Sequence, residues 1–248
     1  MRKFLLISGL FFIFANCCWA VTSREQTERL LVLNALLFDL KMNGIHPESG
    51  QSLGVDLIHQ PEIDDQVGRK DEGIDRPLFV PRPRYKIWID DNLLGAALIP
   101  PVEVKGMSAF VGSVEYALRL NFGKDKSTPA VLRALKFYLR TTLTVGRIEG
   151  PIASADQPDQ VDLSLATYEA ALSYRHSNQL IAFAGMGTGR LDSSIKIAED
   201  GAQIEVNNER FEYVFAGATW RRAGYLYSFQ QNIHDLLRNF SIAVEIAL

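Results

Sequence analysis

Several residue patterns in this chain could carry chemistry, and each must meet a requirement of its own. Gly185, Gly187 and Gly189 in "GMGTG" have the look of a phosphate-cradling loop. Such a loop needs a helix directly after it, whose N-terminus holds the phosphate. The residues that follow keep a two-residue period, so these glycines belong to a strand and ease its curvature. His176 beside Ser177 could form a base and nucleophile, but neighbouring residues of a strand point to opposite faces. His46, His59, His176 and His234 lie too far apart for the close spacings of a zinc site. "EIDD" and "RKDEGID" lack the spacing of a calcium loop. No metal and no cofactor is expected.

The remaining titratable residues fall into a pattern instead of a motif. In "SAFVGSVEYALRLNF" the residues Phe110, Gly112, Val114, Tyr116, Leu118, Leu120 and Phe122 share one face, opposite Ser113, Glu115, Ala117, Arg119 and Asn121. In "ALKFYLRTTLTV" Leu135, Phe137, Leu139, Thr141, Leu143 and Val145 oppose Lys136, Tyr138, Arg140, Thr142 and Thr144. Further runs of period two are Leu53–Val55–Leu57, Tyr85–Ile87–Ile89, Tyr168–Ala170–Leu172–Tyr174, "LIAFAGMGTG", Phe211–Tyr213–Phe215, Tyr225–Tyr227–Phe229 and Phe240–Ile242–Val244–Ile246–Leu248. With the weaker "LLGAALI" they make about ten strands, and the longest suit a tilted crossing of a bilayer, which needs roughly 9–11 residues. Connections alternate short and long: Asp90–Asn92, Gly123–Ala130, His176–Gln179 and Arg221–Gly224 against Gln60–Pro83, Arg147–Val161 and Arg190–Glu209. Membrane barrels sort their turns and loops in this way.

The N-terminus reads differently. Arg2 and Lys3, an apolar run from Phe4 to Ala15 and the small residues Cys18 and Ala20 form an export signal, with cleavage expected after Ala20. Cleavage removes both cysteines, so no disulfide is expected, and it takes the formal charge from −3 to −3 − 2 = −5. A mildly acidic chain offers no basic stripe for nucleic acid. Residues 21–50 are a lead-in with a helix over 22–44. Ser23 and Gln26 form its capping box, Leu30, Leu33, Leu37 and Leu40 line one face, and Asn43–Gly44 stop it.

These strands, the sorted loops and the alternating C-terminal run resemble the small bacterial outer-membrane β-barrel proteins, over everything after Gly50. The resemblance implies an all-β fold: a transmembrane antiparallel up-and-down barrel of about ten strands over residues 51–248, after the N-terminal helix. It implies a partner in the lipopolysaccharide-bearing outer membrane, and another in the barrel-assembly machinery, reached through Phe240–Leu248. The family usually ends on an aromatic residue, where this chain has Leu248.

In a barrel the apolar face meets lipid and the mixed face lines the lumen. The lumen set is then Glu115, Arg119, Lys136, Tyr138, Arg140, Glu169, Arg175 and Glu245, together with Asp56, Arg84 and Lys86. Neighbouring strands set Glu115 and Arg119 beside Lys136 and Arg140, and Glu169 beside Arg140. An interior of about this size is largely filled by side chains, so the expected role is structural or interactive, with at most narrow solute passage. Two alternatives stand beside it. One is a lipid- or peptide-hydrolysing barrel, for which His234–Asp235 and Asp64–Asp65 are the available outer-loop residues. Barrel deacylases of lipid A also pair a histidine with a serine, but with one residue between them, unlike the adjacent His176–Ser177. The other is a soluble periplasmic lipocalin-like binder, which would turn its apolar face inward.

Overall fold

Period-two alternation over long stretches leaves each strand with one apolar and one mixed face, and a sheet of such strands has no free edge only when it closes. The computed structural model describes residues 28, 31–32, 50–59, 79–101, 103, 106, 108–121, 129–150, 158–198, 201–234 and 238–248. Ten strands run through them: β1 (Gly50–His59), β2 (Phe79–Ile89), β3 (Asn92–Ile99), β4 (Ser108–Asn121), β5 (Leu135–Gly150), β6 (Asp159–Arg175), β7 (Leu180–Lys196), β8 (Gln203–Arg222), β9 (Tyr225–Ile233) and β10 (Arg238–Ala247). Each is antiparallel to its chain neighbour, and β10 closes the barrel on β1 with Ser52 opposite Ala247 and Ile58 opposite Ser241. Two hairpins turn on two residues. Asp90 opens one at φ 55°; Ala223 and Gly224 form the other at φ 50° and 83°, the left-handed pair that such tight turns demand. A five-residue helix, α1 (Ala130–Ala134), leads into β5.

Burial is inverted relative to a soluble protein. Val145 and Met186 are 60% and 65% exposed on the outside, whereas Arg82 and Glu245 are 1% and 0% exposed within. A continuous belt of Leu, Val, Ile, Phe and Tyr on the outer face, backed by buried charge, is stable only against lipid tails. The lipocalin-like alternative, with its apolar face inside, is overturned by this inversion.

One expectation falls mostly on residues that are not described, and another needs correction. The helix over 22–44 is the first. Nearly all of it lies outside the described residues; Glu28, Leu31 and Val32 are helical, with Leu31 and Val32 buried. The Arg190–Glu209 loop is in fact mostly strand: β7 continues to Lys196 and β8 begins at Gln203. In this stretch Leu191, Ser193 and Ile195 stay buried while Arg190, Asp192 and Lys196 are exposed. The alternation survives, but the outward residues are polar because this part of the wall stands above the hydrocarbon layer.

The wall is therefore uneven. Strands β5 to β8 have 16, 17, 17 and 20 residues, against 10, 11, 8, 9 and 10 in β1, β2, β3, β9 and β10. Pairing between β8 and β9 starts only at Val214 opposite Ile233, so β8 rises past its neighbour from Tyr213 to Gln203. A β-bulge between Leu191 and Ser193 bends the tall part. There Asn208 takes φ 60° and donates its backbone N–H to Asp192 Oδ1 at 2.8 Å.

Candidate functional site

The lumen holds the chain's concentrated chemistry, and its geometry follows from strand register. On the β10–β1–β2 wall, Glu245, Gly54 and Arg84 lie in one cross-strand row. Gly54 has no side chain to separate its neighbours; a Cβ there would meet Glu245 Cγ at 2.6 Å. The Arg84 guanidinium thus reaches over β1 to Glu245, and also donates to Asp56 Oδ2 at 2.9 Å. Lys86 Nζ donates to Glu245 Oε1 at 3.0 Å, Ser52 Oγ to Glu245 Oε2 at 2.9 Å and Arg82 Nη2 to Asp56 Oδ2 at 3.1 Å.

The wall from β4 to β8 repeats the device. Glu169, Gly187 and Tyr213 form a row, and Tyr213 donates its phenolic O–H across Gly187 to Glu169 Oε1 at 2.5 Å. Arg140 sits opposite Glu169 and is ion-paired with it, lies 3.9 Å from Glu115 Oε1, and stacks over the Phe215 ring at 5.6 Å. A third row, Lys86–Gly95–Glu115, joins the two walls, and Glu115 interacts electrostatically with Arg84 and Lys86 across it. Charge balances only when both walls are counted. Arg82, Arg84 and Lys86 against Asp56 and Glu245 leave +1; Arg140 against Glu115 and Glu169 leaves −1. Beside Glu115, the buried hydroxyls of Thr142, Thr144 and Thr167 have no protein hydrogen-bond partner among the described residues. Buried groups of that kind are ordinarily met by water.

Above this charged band most of the buried lumen side chains are apolar, with Asp159, Ser193 and Asn239 among them. Val80, Ile99, Val111, Ile148, Val161, Leu165, Leu191, Ile195, Val206 and Phe211 are buried at the long-loop end, and Leu31 and Val32 belong to the same cluster. At the short-turn end Trp88 meets Tyr138 edge-on at 6.1 Å, and the Arg119 guanidinium lies 5.4 Å from the Trp88 ring. Arg119 Nε also donates to Asp91 Oδ1 at 2.8 Å.

The sequence-predicted lumen residues divide into three groups. Glu115, Tyr138, Arg140, Glu169 and Glu245 are buried inside; Arg119 and Lys136 are half-buried at the short-turn mouth; Arg175 is exposed at the end of β6. Register decides the partners. Lys136 faces Asn121 and donates to its side-chain oxygen at 2.6 Å, whereas Arg119 faces Tyr138 and turns to Asp91. Arg82 escaped sequence reasoning because prolines on both sides obscure its strand. So did the inward turn of Phe211, Tyr213 and Phe215, an apolar set that the lipid-facing rule puts outside. Their partners explain it. Phe211, Tyr213 and Phe215 sit opposite Gly189, Gly187 and Gly185, each ring lying where a Cβ would be, at 2.1, 2.4 and 2.5 Å. The matching signal was present as G-x-G-x-G in one strand and F-x-Y-x-F in the next.

Among the described residues, His176, Ser177 and His234 are engaged in other contacts. The Ser177 hydroxyl accepts the backbone N–H groups of Gln179 and Leu180 at 3.2 and 3.1 Å, capping its turn. His234 packs its ring against Phe211 at 5.7 Å. Asp235 and Asp64–Asp65 lie outside the described residues. No three of His, Cys, Asp or Glu come together to hold a metal among the described residues.

On the outer surface, beyond the apolar belt, Arg147 Nε and Asp162 Oδ1 pair at 2.7 Å across β5 and β6. The Arg147 hydrogen bond holds the Asp162 carboxyl below the usual carboxylate range. A depressed value means that the pair stabilises the fold at neutral pH and stops doing so as pH falls through the folded-state value. Unfolding midpoints measured across acid pH should therefore lose one component in Asp162→Asn, with little change at neutral pH because both partners are exposed.

No family model matches the chain, and no curated protein matches it in sequence. Among solved structures it is similar to the toluene transporter TbuX of Ralstonia pickettii, at 8% identity and TM-score 0.36, over 82% of this chain and 90% of that one. It is similar to the outer-membrane protein Ail of Yersinia pestis, at 9% and 0.37, over 81% and 100%. It is also similar to Neisserial surface protein A, at 11% and 0.36, over 82% and 100%. The chain's own strand order, register and inverted burial make it a closed, ten-stranded antiparallel transmembrane β-barrel.

Proposed function

We propose that this chain is an integral protein of a Gram-negative outer membrane, exported by its N-terminal signal. Its barrel acts as a non-enzymatic structural or interaction module instead of a pore. One observation carries the reading: two ionic clusters bridge the lumen wall beneath a layer of buried apolar side chains toward the long-loop end. A permeant solute would have to break ion pairs and then displace buried apolar side chains. The tall β5–β8 wall supports an interaction role, since it presents polar strand surface well beyond the belt. The alternating outward residues Phe240, Ile242, Val244 and Ile246 of β10 suit recognition by the barrel-assembly machinery.

Purified, folded protein in planar bilayers tests this directly. No conductance steps are expected at moderate voltage; regular, reproducible steps would show a pore and overturn the proposal. Extraction only with detergent, and faster migration on an unheated gel, are expected of the same preparation.

A further inference from the structure

We propose a binding site for a lipid phosphomonoester, of the lipid A class, at Arg190 and Arg210 on the outer face of β7 and β8. It rests on the outer-membrane reading above. Arg190 and Arg210 are directly opposite each other in the β7–β8 ladder, and both are exposed. Like charges directly opposite on one face of a sheet are destabilising, and neither guanidinium has an ion pair among the described residues. The Arg147–Asp162 pair shows how the same rim satisfies an arginine when an acid faces it.

The level and direction of the two side chains fix what they meet. From Leu180, the first outward residue of β7, to Arg190 is ten residues. At about 3.3 Å per residue and a tilt of about 40°, that is a rise of roughly 25 Å, the height of an outer-membrane belt. The guanidiniums therefore lie at the headgroup level and point into the membrane plane. One rung below them is Thr188 opposite Glu212, and then Met186 opposite Val214, both exposed for acyl chains. On one flank the residue paired with Arg190 is Ala166; on the other, β9 has already ended.

Charge selects its class. A phosphomonoester carries about −1.5 to −2 at neutral pH and matches two guanidiniums, whereas a phosphodiester carries a single charge. The acids near the pair are Asp192, whose carboxylate accepts the Asn208 N–H, Glu212, and Glu209, which is exposed beside Arg210 and opposite Leu191; neither glutamate makes an ion pair among the described residues.

The full chain, folded in detergent, would be titrated with bisphosphorylated lipid A, enzymatically dephosphorylated lipid A and phosphatidylglycerol, and bound lipid counted by native mass spectrometry. Bisphosphorylated lipid A should be retained best. Arg190→Gln and Arg210→Gln should each weaken that retention about tenfold, the equivalent of one charge-assisted hydrogen bond, and Glu212→Gln should strengthen it. Equal retention of dephosphorylated lipid A or of phosphatidylglycerol overturns the assignment, as does unchanged retention in the double arginine variant. Unheated gel migration is read on every sample first. A chain that lacks heat-modifiable migration refutes the membrane reading itself, whereas a heat-modifiable chain without phosphate preference refutes only this site.

Discussion

Glu245→Ala should be the most damaging single substitution in the barrel. Glu245 is wholly buried and accepts from Arg84, Lys86 and Ser52 at once. Removing it leaves Arg82, Arg84 and Lys86 with Asp56 as the nearest acid on that wall, turning a local +1 into +2. Breaking a buried pair by deleting one partner costs about 3–5 kcal/mol, because the remaining charge stays desolvated. The substitution should lower the urea midpoint of the detergent-folded protein accordingly. Adding Lys86→Met to Glu245→Ala returns the local charge to +1 and should recover a large part of the loss. An additive double variant would mean that the cost comes from the cavity left by Glu245, not from unpaired charge.

Gly187→Val should come close, and for a different reason. A Cβ at Gly187 would lie 2.4 Å from the Tyr213 ring and 2.9 Å from Glu169 Cγ, both walled in by neighbours. The ring must move, which breaks the Tyr213–Glu169 hydrogen bond and the arrangement that holds Arg140. Overpacking alone costs about 1–3 kcal/mol, and the lost bond adds to it, so the heat-modifiable form should fall sharply on unheated gels. Tyr213→Ser in the same chain makes room and should restore much of it. Gly112→Ala is the matched control. Gly112 faces outward with only Leu98 Cδ1 within reach, at 3.9 Å, and its substitution should be close to neutral. A Gly112→Ala barrel as unstable as Gly187→Val would show that glycine matters for strand flexibility and not for the space beneath a ring.

The contrast between these glycines shows where sequence reading reaches its limit. Alternation along one strand made the ten-strand barrel and the lipid-facing belt legible, because both depend on residues two apart in the chain. The G-x-G-x-G segment was also legible as strand. Why those glycines are needed was not, since the rings of Phe211, Tyr213 and Phe215 come from another strand. The same applies to Gly54, which lets Glu245 meet Arg84, and to Gly95 between Lys86 and Glu115. A row across three strands depends on register, and register is set by closure of the whole barrel. The β7–β8 extension was missed for a simpler reason. Beyond the hydrocarbon layer a strand's outward residues turn polar, and Arg190, Asp192 and Lys196 then look like a loop.

The eight residues of β3, ending before Pro100–Pro101, have one more consequence. At about 3.3 Å per residue and about 40° of tilt they climb only about 20 Å, less than the hydrocarbon depth a barrel usually spans. Lipids packed against Leu94 and Leu98 must compress to match, so the leaflets pinch on that flank and relax beside β6 and β7. A barrel with one short side should gather neighbours on that flank, and cross-links placed beside β3 should then form more readily than those placed beside β6.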